Sequence, residues 1–138
     1  ERDIVDARLM GADAVLLIAS ALSTGELERF FSLSRELELD ALVECHDEAE
    51  LETALAVGAD LVGVNQRNLF TFEVDQDRAA RLAALLPNDV VAVAESGIRS
   101  PVDAAALREA GYAAILVGET LVTSENPTAA VAALRKAV

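Results

Sequence analysis

The chain has 138 residues, of which 53% are hydrophobic, and this is enough for one domain with a buried core. Its formal net charge of -13 argues against a nucleic-acid partner, because such binding requires clustered Lys and Arg. No apolar run approaches the ~20 residues that a membrane span needs, and the charged start Glu1-Arg2-Asp3 is unlike a secretory signal. The single cysteine, Cys45, permits no internal disulfide, so we expect a cytoplasmic protein with no membrane association.

Five β-rich segments are predicted to be strands, and the spacing between them accommodates a helix and two loops but not a tight hairpin. Segments 14–18 and 114–117 are apolar without alternation, which is typical of parallel strands covered on both faces. The pattern therefore predicts an α/β fold with parallel strands. The predicted strands are 13–18, 40–44, 60–65, 90–94 and 113–117.

The intervening helices have recognisable starts and ends. A cap residue precedes each start and is followed either by Glu three residues later or by a proline at the first helical position. These caps are Ser23 with Glu26, Asp47 with Glu50, Ser100 before Pro101, and Asn126 before Pro127. Glycines that lead directly into the next strand mark three helix ends, namely Gly11, Gly58 and Gly111. Together these signals predict βα units that follow one another in order.

Four successive predicted strands end in polar or glycine residues. In parallel βα architecture the carboxyl ends of the strands converge on the ligand site, so these residues are candidate site residues. The longest irregular stretch, 66–77, follows one of these strand ends, where functional loops are expected. The terminal residues are Glu44, Asn65, Glu95 with Ser96 and Gly97, and Gly118 with Glu119.

The two glycine-containing strand ends suggest a phosphate site. Glycine allows close approach of the backbone to a phosphate, and barrels commonly bind phosphate after their last two strands. The alternative is that Gly97 and Gly118 only form tight turns.

The charged candidates also have two interpretations each. Glu44 and Glu95 are suited to acid–base chemistry in a partly desolvated site, or they cap nearby backbone N–H groups. Arg67 is suited to a bidentate grip on a carboxylate, or it is a solvated loop cation. The only histidine, His46, lacks a set of partners with metal spacing, and we expect it to be a supporting loop residue.

Several of these segments, in this order, resemble the indole-3-glycerol phosphate synthase family over nearly the whole chain. The motifs Glu-Ser-Gly-Ile at 95–98 and Asn-x-Arg-Asn-Leu at 65–69 are together quite specific. The final Val-Gly-Glu is shared more loosely with other phosphate-binding barrels. The matching segments are 11–18, 42–47, 63–69, 71–75, 94–98 and 116–119.

The resemblance implies the C-terminal part of a (β/α)8 TIM barrel. Residues 1–138 would form one partial barrel domain, beginning with the helix after the third barrel strand and continuing through βα units four to eight. It also implies indole ring closure on 1-(2-carboxyphenylamino)-1-deoxyribulose 5-phosphate, with release of carbon dioxide and water, in tryptophan biosynthesis. No cofactor and no metal would be needed.

By the same resemblance, four residues serve catalysis. Glu44 would act in proton transfer and Asn65 would hold the substrate near the reacting ring, while Glu95 and Ser96 would position the sugar portion and other catalytic groups.

Four further residues would bind the substrate. Arg67 would meet the aromatic carboxylate. Gly97, Gly118 and Glu119 would form the phosphate site, the last of them through its backbone.

The chain departs from the family in ways that leave alternatives open. The lysines and the glutamate that the family places on its first and third strands have no counterpart, so we expect the isolated chain to be inactive. It would then be a non-catalytic phosphate-binding fragment, one that self-associates or pairs with the missing barrel portion through open sheet edges. Another phosphate-binding barrel, such as phosphoribosylanthranilate isomerase, is disfavoured by Glu44 and Arg67. Gln66 replaces a usual small polar residue, and Glu38 a frequent glycine.

Overall fold

The computed structural model describes residues 1–137, in which five strands alternate with helices along the chain. The chain divides into two compact units, the first comprising Glu1–Gly63 and the second beginning at Val64. Within residues 1–137, none of the helices combines the length and the apolar character required to traverse a membrane.

The first unit contains two complete strands and the beginning of a third. Strands β1 and β2 are parallel, and their register runs from the pair Ala14 and Asp40 to the pair Ile18 and Glu44. A short 3-10 helix, Ala19–Ala21, follows β1. The elements are α1 (Arg2–Leu9), β1 (Ala14–Ile18), α2 (Thr24–Glu36), β2 (Asp40–Cys45), α3 (Glu48–Ala56) and the first residues of β3 (Leu61–Asn65).

The second unit continues from the end of β3. Strands β4 and β5 are parallel, with Val93 opposite Ala114 and Glu95 opposite Leu116. The elements after β3 are α4 (Asp77–Ala83), β4 (Val91–Glu95), α5 (Pro101–Glu109), β5 (Ala114–Leu116), α6 (Glu119–Val122) and α7 (Pro127–Arg135). The prediction of parallel strands alternating with helices is confirmed, and each strand boundary lies within one residue of its predicted position.

The predicted helix starts are also confirmed. The Ser23 hydroxyl donates to the Glu26 carboxylate over 2.6 Å, and this hydrogen bond lowers the pKa of Glu26. Ser100 forms the corresponding box with Asp103, next to a proline at the start of α5. Asn126 accepts a hydrogen bond from the Ala129 N–H at the start of α7.

Helix ends repeat one backbone arrangement. At the end of α3, the Gly58 N–H donates to the Leu55 carbonyl and the Ala59 N–H donates to the Ala54 carbonyl. Gly58 has a φ of 85°, a conformation that glycine adopts without strain from a Cβ atom. The same pattern of bonds ends α1 and α5, so the predicted role of the glycines at positions 11, 58 and 111 is confirmed.

Helix α2 ends in the same way without a glycine. The Glu38 N–H donates to the Arg35 carbonyl, and the Leu39 N–H donates to the Ser34 carbonyl. Glu38 therefore adopts a φ of 57°, which costs a residue with a side chain about 1–2 kcal/mol. Its exposed ion pair with Arg8, 3.8 Å long, offsets little of that strain. Glu38, where the resemblance led us to expect a glycine, is thus a local source of strain.

Two buried polar side chains donate hydrogen bonds to backbone carbonyl groups. The Tyr112 hydroxyl donates to the Ala79 carbonyl over 2.8 Å, and burial raises the pKa of Tyr112. Ser34, which is fully buried in α2, donates to the Phe30 carbonyl. These bonds avoid the penalty for an unpaired polar group in the core.

Candidate active site

In the first unit, Glu44 lies near the carboxyl end of β2 and is only 4% exposed. The neighbouring Cys45, the last residue of the strand, is completely buried. Because successive strand residues point to opposite faces, the two side chains lie on different sides of β2. Cys45 thus packs as a small buried residue next to Glu44.

His46 follows the strand and lies between two carboxylates. Its Nε2 atom is 3.3 Å from Glu44 Oε1, and its Nδ1 atom is 3.0 Å from Glu50 Oε2. We call Glu44, His46 and Glu50 the Glu44 cluster. Within residues 1–137, no group of three or more His, Cys, Asp and Glu side chains is arranged to hold a metal ion.

The start of α3 fixes Glu50 in this cluster. Asp47 caps the helix by accepting from the Glu50 N–H over 2.9 Å, as predicted. The Glu50 carboxylate, however, accepts from the His46 N–H over 2.7 Å rather than from the cap residue itself. The second half of the predicted capping arrangement is thus displaced by one residue, because the carboxylate also meets the imidazole ring.

In the second unit, two predicted site residues are buried at neighbouring strand ends. Asn65 is 6% exposed at the end of β3, and Glu95 is 5% exposed at the end of β4. The Asn65 side-chain oxygen accepts from the Arg67 N–H, and the Arg78 guanidinium donates to the Asn65 carbonyl. These bonds fix the backbone where the strand enters the following loop.

A strained turn follows Glu95. Ser96 and Gly97 both have left-handed backbones, with φ values of 64° and 70°. Gln66 donates to the Ser96 carbonyl over 2.8 Å, and Gln76 donates to the Gly97 carbonyl over 3.2 Å. A Cβ atom on Gly97 would lie 2.5 Å from Val74 Cγ1, so no side chain fits there without a rearrangement.

This turn borders an open cavity of about 540 Å³. Five of the predicted site residues line it together, and Arg99 and Thr120 line it as well. Thr120 is held by donating its hydroxyl hydrogen bond to the Ile98 carbonyl over 2.6 Å. The predicted residues that line this open cavity are Arg67, Ser96, Gly97, Gly118 and Glu119.

The guanidinium of Arg67 donates to two acceptors. It donates to the Phe72 carbonyl over 3.1 Å and to the Glu119 carboxylate over 2.7 Å. The Glu119 side chain is 77% exposed, so it can swing away at little cost. The backbone role predicted for Glu119 stays a prediction, and its side chain is in addition a direct partner of Arg67.

The loop before α4 is irregular, as predicted, and an isolated antiparallel bridge orders it. Arg67 and Val74 form an antiparallel bridge, and the Asp75 N–H donates to the Gln66 carbonyl. The Asn68 side chain accepts from two backbone N–H groups at the tip, a local turn that sequence alone did not reveal. At the base, a hydrogen bond from Arg81 lowers the pKa of Asp75.

Sequence reasoning missed several supporting residues. Gln66 was noted only as a departure from the family, although its side chain holds the Ser96 carbonyl. Gln76 and Arg99 carried no signal, because a glutamine or an arginine in a loop is most often solvated. His46 was expected to be a supporting residue, but the two carboxylates that meet its ring were not foreseen.

Comparison with known proteins identifies the family. The model for indole-3-glycerol phosphate synthase matches residues 1–134. A protein of that name from Chloroherpeton thalassium is 50% identical over 126 residues, which are 91% of this chain and 48% of the relative. Another, from a Nocardioides species, is 53% identical over 128 residues, which are 93% of this chain and 49% of the relative. The chain thus spans about half the length of these relatives.

The solved structures extend the likeness of fold. Thiamine phosphate pyrophosphorylase from Pyrococcus furiosus superposes with a TM-score of 0.77 over 97% of this chain and 63% of that protein. At 20% identity this match supports the fold alone, and it agrees with the predicted part of a (β/α)8 barrel. On the sequence matches above, the chain belongs to the indole-3-glycerol phosphate synthase family.

Proposed function

We propose that the protein containing this chain is an indole-3-glycerol phosphate synthase. It would close the indole ring on 1-(2-carboxyphenylamino)-1-deoxyribulose 5-phosphate, with loss of carbon dioxide and water, in tryptophan biosynthesis. The observation that carries the proposal is that five residues matched to the family's site line one open cavity. No cofactor enters the proposed reaction.

The phosphate of the substrate would bind at the glycine-containing side of the open cavity. The left-handed turn at Ser96 and Gly97 and the exposed backbone at Gly118 allow a phosphate to approach closely. Arg99 adds a positive charge to the same cavity, which favours an anionic group despite the acidic chain.

The aromatic carboxylate of the substrate would be held by Arg67. The Arg67 guanidinium donates to the Glu119 carboxylate in the structure, and the substrate carboxylate would replace Glu119 in a bidentate pair. The ordered loop supports this role, because the Phe72 carbonyl and the antiparallel bridge restrict the arginine to one side of the hairpin.

The proton transfers would fall to Glu44, with Asn65 and Glu95 as further buried groups at strand ends. Ring closure requires an acid to activate the carbonyl and a base to collect protons, and a buried carboxylate serves such a step well. Glu44 is buried and has a histidine within 3.3 Å, which supports a role in proton transfer. Asn65 would hold the substrate, while Glu95 and Ser96 would position its sugar portion.

The decisive test replaces Glu44 in the full-length protein. Glu44→Gln keeps the shape of the side chain but removes its acid–base function, so kcat should fall by roughly 10²–10⁴-fold. Complementation of a tryptophan auxotroph and direct assay of ring closure would measure the loss. Glu52→Gln, at an exposed position of α3, is the matched control and should behave as wild type. Wild-type kcat in Glu44→Gln would contradict the proton-transfer role assigned to Glu44.

A second proposal concerns the chain on its own, taken as one partial barrel domain. Its single lysine, Lys136, caps the end of α7 and has no match to the family's catalytic lysines, so the isolated chain should not turn over substrate. In each unit an outer strand leaves a leucine 50% exposed, namely Leu16 in β1 and Leu116 in β5. Exposed strand edges pair with other chains, so the chain should self-associate or bind the missing barrel portion.

Light scattering on the isolated chain would test this second proposal. We expect species larger than a monomer, reduced by the edge-blocking substitution Leu16→Lys. A monodisperse, folded monomer of the unsubstituted chain would contradict it.

The buried Cys45 supports a reducing location such as the cytoplasm, where an unpaired thiol is stable.

A further inference from the structure

The Glu44 cluster contains a histidine that neither the family assignment nor the proposed reaction uses. His46 is the only histidine of the chain, and its ring is nearly buried, with 12% of the side chain exposed. Both ring nitrogens face carboxylate oxygens, one on each side. Such an arrangement fixes the ring orientation, because a flipped ring would place carbon atoms against both carboxylates.

The Glu50 side determines where one proton of the ring lies. Glu50 Oε2 already accepts from the His46 backbone N–H, and the first turn of α3 favours a negative charge at this position. An ionised carboxylate can only accept hydrogen bonds, so the Nδ1 atom, 3.0 Å away, carries a proton. Glu50 thus selects the tautomer of His46, as carboxylates beside catalytic histidines do.

The Glu44 side then requires one further proton. With Nδ1 protonated, a neutral ring presents a lone pair at Nε2, and an ionised Glu44 would present another at Oε1. Two lone pairs 3.3 Å apart repel, and within residues 1–137 neither atom has a separate hydrogen-bond partner. Although 3.3 Å is longer than an ideal hydrogen bond, the contact is therefore favourable only when a proton lies between the two atoms.

We propose that Glu44 and His46 Nε2 share one proton, and that His46 is the positioning residue that keeps Glu44 supplied with it. The proton resides either on the Glu44 carboxyl group or on the imidazole, and the total is the same in both forms. This inference rests on the proposed role of Glu44 in proton transfer. When the Glu44 O–H bond breaks and the substrate takes the proton, two facing lone pairs remain, so the pair is driven to take a proton back from product or water.

Burial within the cluster supports this arrangement. The exposed fraction of the side chain rises from 6% for Glu44 to 12% for His46 and 20% for Glu50. The Glu44 carboxylate is thus the least exposed member of the cluster, and Glu50, which orients the histidine, is the most exposed. The buried pair lies at the end of a strand, where the parallel fold places its reactive groups.

Nitrogen NMR of the full-length protein, labelled with ¹⁵N-histidine, tests the tautomer directly. His46→Gln identifies the resonances by their loss. We expect a protonated Nδ1 in the wild type, and we expect Glu50→Ala to abolish this preference. A neutral ring with the proton on Nε2 and a bare Nδ1 in the wild type would overturn the proposal, because an ionised Glu50 cannot donate.

Kinetics of two His46 variants test the link to Glu44. The Asn amide in His46→Asn reaches only the Nδ1 position, whereas the longer Gln amide in His46→Gln reaches the Nε2 position and can donate to Glu44. Residues that orient a reactive group commonly contribute about 10–100-fold to activity. We therefore expect both substitutions to lower kcat at least about 10-fold with little change in KM, because neither amide can hold or release the shared proton.

The outcomes separate this inference from the proposed function. If Glu44→Gln is fully active, the role of Glu44 falls and the inference falls with it. If Glu44→Gln is impaired while His46→Asn has wild-type kcat, only the inference is wrong. Wild-type kcat in His46→Gln would also overturn it, because an amide that keeps the contact with Glu44 still cannot hold the shared proton.

Discussion

The Glu44 cluster and the open cavity are built from different kinds of groups. The cluster is built from side chains, is nearly dry, and holds its groups at fixed distances from one another. The open cavity is lined by the left-handed turn at Ser96 and Gly97, by the exposed Gly118 and by two arginines. Proton transfer requires side chains of defined protonation, whereas an anion can be held by backbone N–H groups and flexible cations. The contrast predicts that the two regions tolerate different substitutions.

Glycine substitutions in the open cavity should give the largest effect. Gly97→Ala forces a Cβ atom to within 2.5 Å of Val74 Cγ1 at a φ of 70°. Strain and overpacking together should lower the free energy of unfolding by about 2–4 kcal/mol. Gly118→Ala is the matched control, since a Cβ there meets nothing within 4 Å and the backbone is not left-handed. Urea unfolding of both variants would measure the difference.

The same pair also separates folding from binding. Gly118→Ala should unfold as wild type does, yet raise the KM for substrate, because its methyl group enters the space assigned to phosphate. Equal stabilities for the two variants would contradict the packing described at Gly97. A wild-type KM for Gly118→Ala would place the phosphate elsewhere.

Substitutions of the Arg67 pair should have a smaller effect, confined to substrate binding. Loss of a charge-assisted hydrogen bond costs about 1.5–3 kcal/mol, so Arg67→Ala should raise KM about 10- to 100-fold. Glu119→Gln weakens a competitor for the same guanidinium and should lower KM by less than about fivefold, as expected for an exposed ion pair. Steady-state kinetics would measure both values. A higher KM in Glu119→Gln would show that this carboxylate supports binding rather than competing with it.

The strands and the helix ends were predictable because each leaves a local signal. An unalternating apolar run such as 114–117 indicates a buried parallel strand, and a glycine before the next strand indicates a left-handed helix end. In the second unit, the predicted site residues Arg67, Ser96, Gly97, Gly118 and Glu119 line the open cavity, whereas Asn65 and Glu95 are not among its lining residues.

The support around these residues was not predictable, because it depends on side-chain conformations. The distance between His46 and Glu50 is set by where α3 begins, and a capping pattern alone suggested a different acceptor for that carboxylate. Gln66 reaches Ser96 across 30 positions of sequence, which no local pattern encodes. Glu38 shows the converse, since the tertiary structure imposes a glycine-like backbone on a residue that does not prefer it.

Because Cys45 is completely buried next to Glu44, the reactivity of its thiol reports on local opening of strand β2. As the only thiol in the chain, and with none of its surface exposed, it reacts with a thiol reagent only when the surrounding structure opens. The labelling rate therefore measures how often the strand carrying Glu44 departs from its folded position. The rigidity of strand β2 can thus be measured separately from catalysis, which an activity assay alone does not allow.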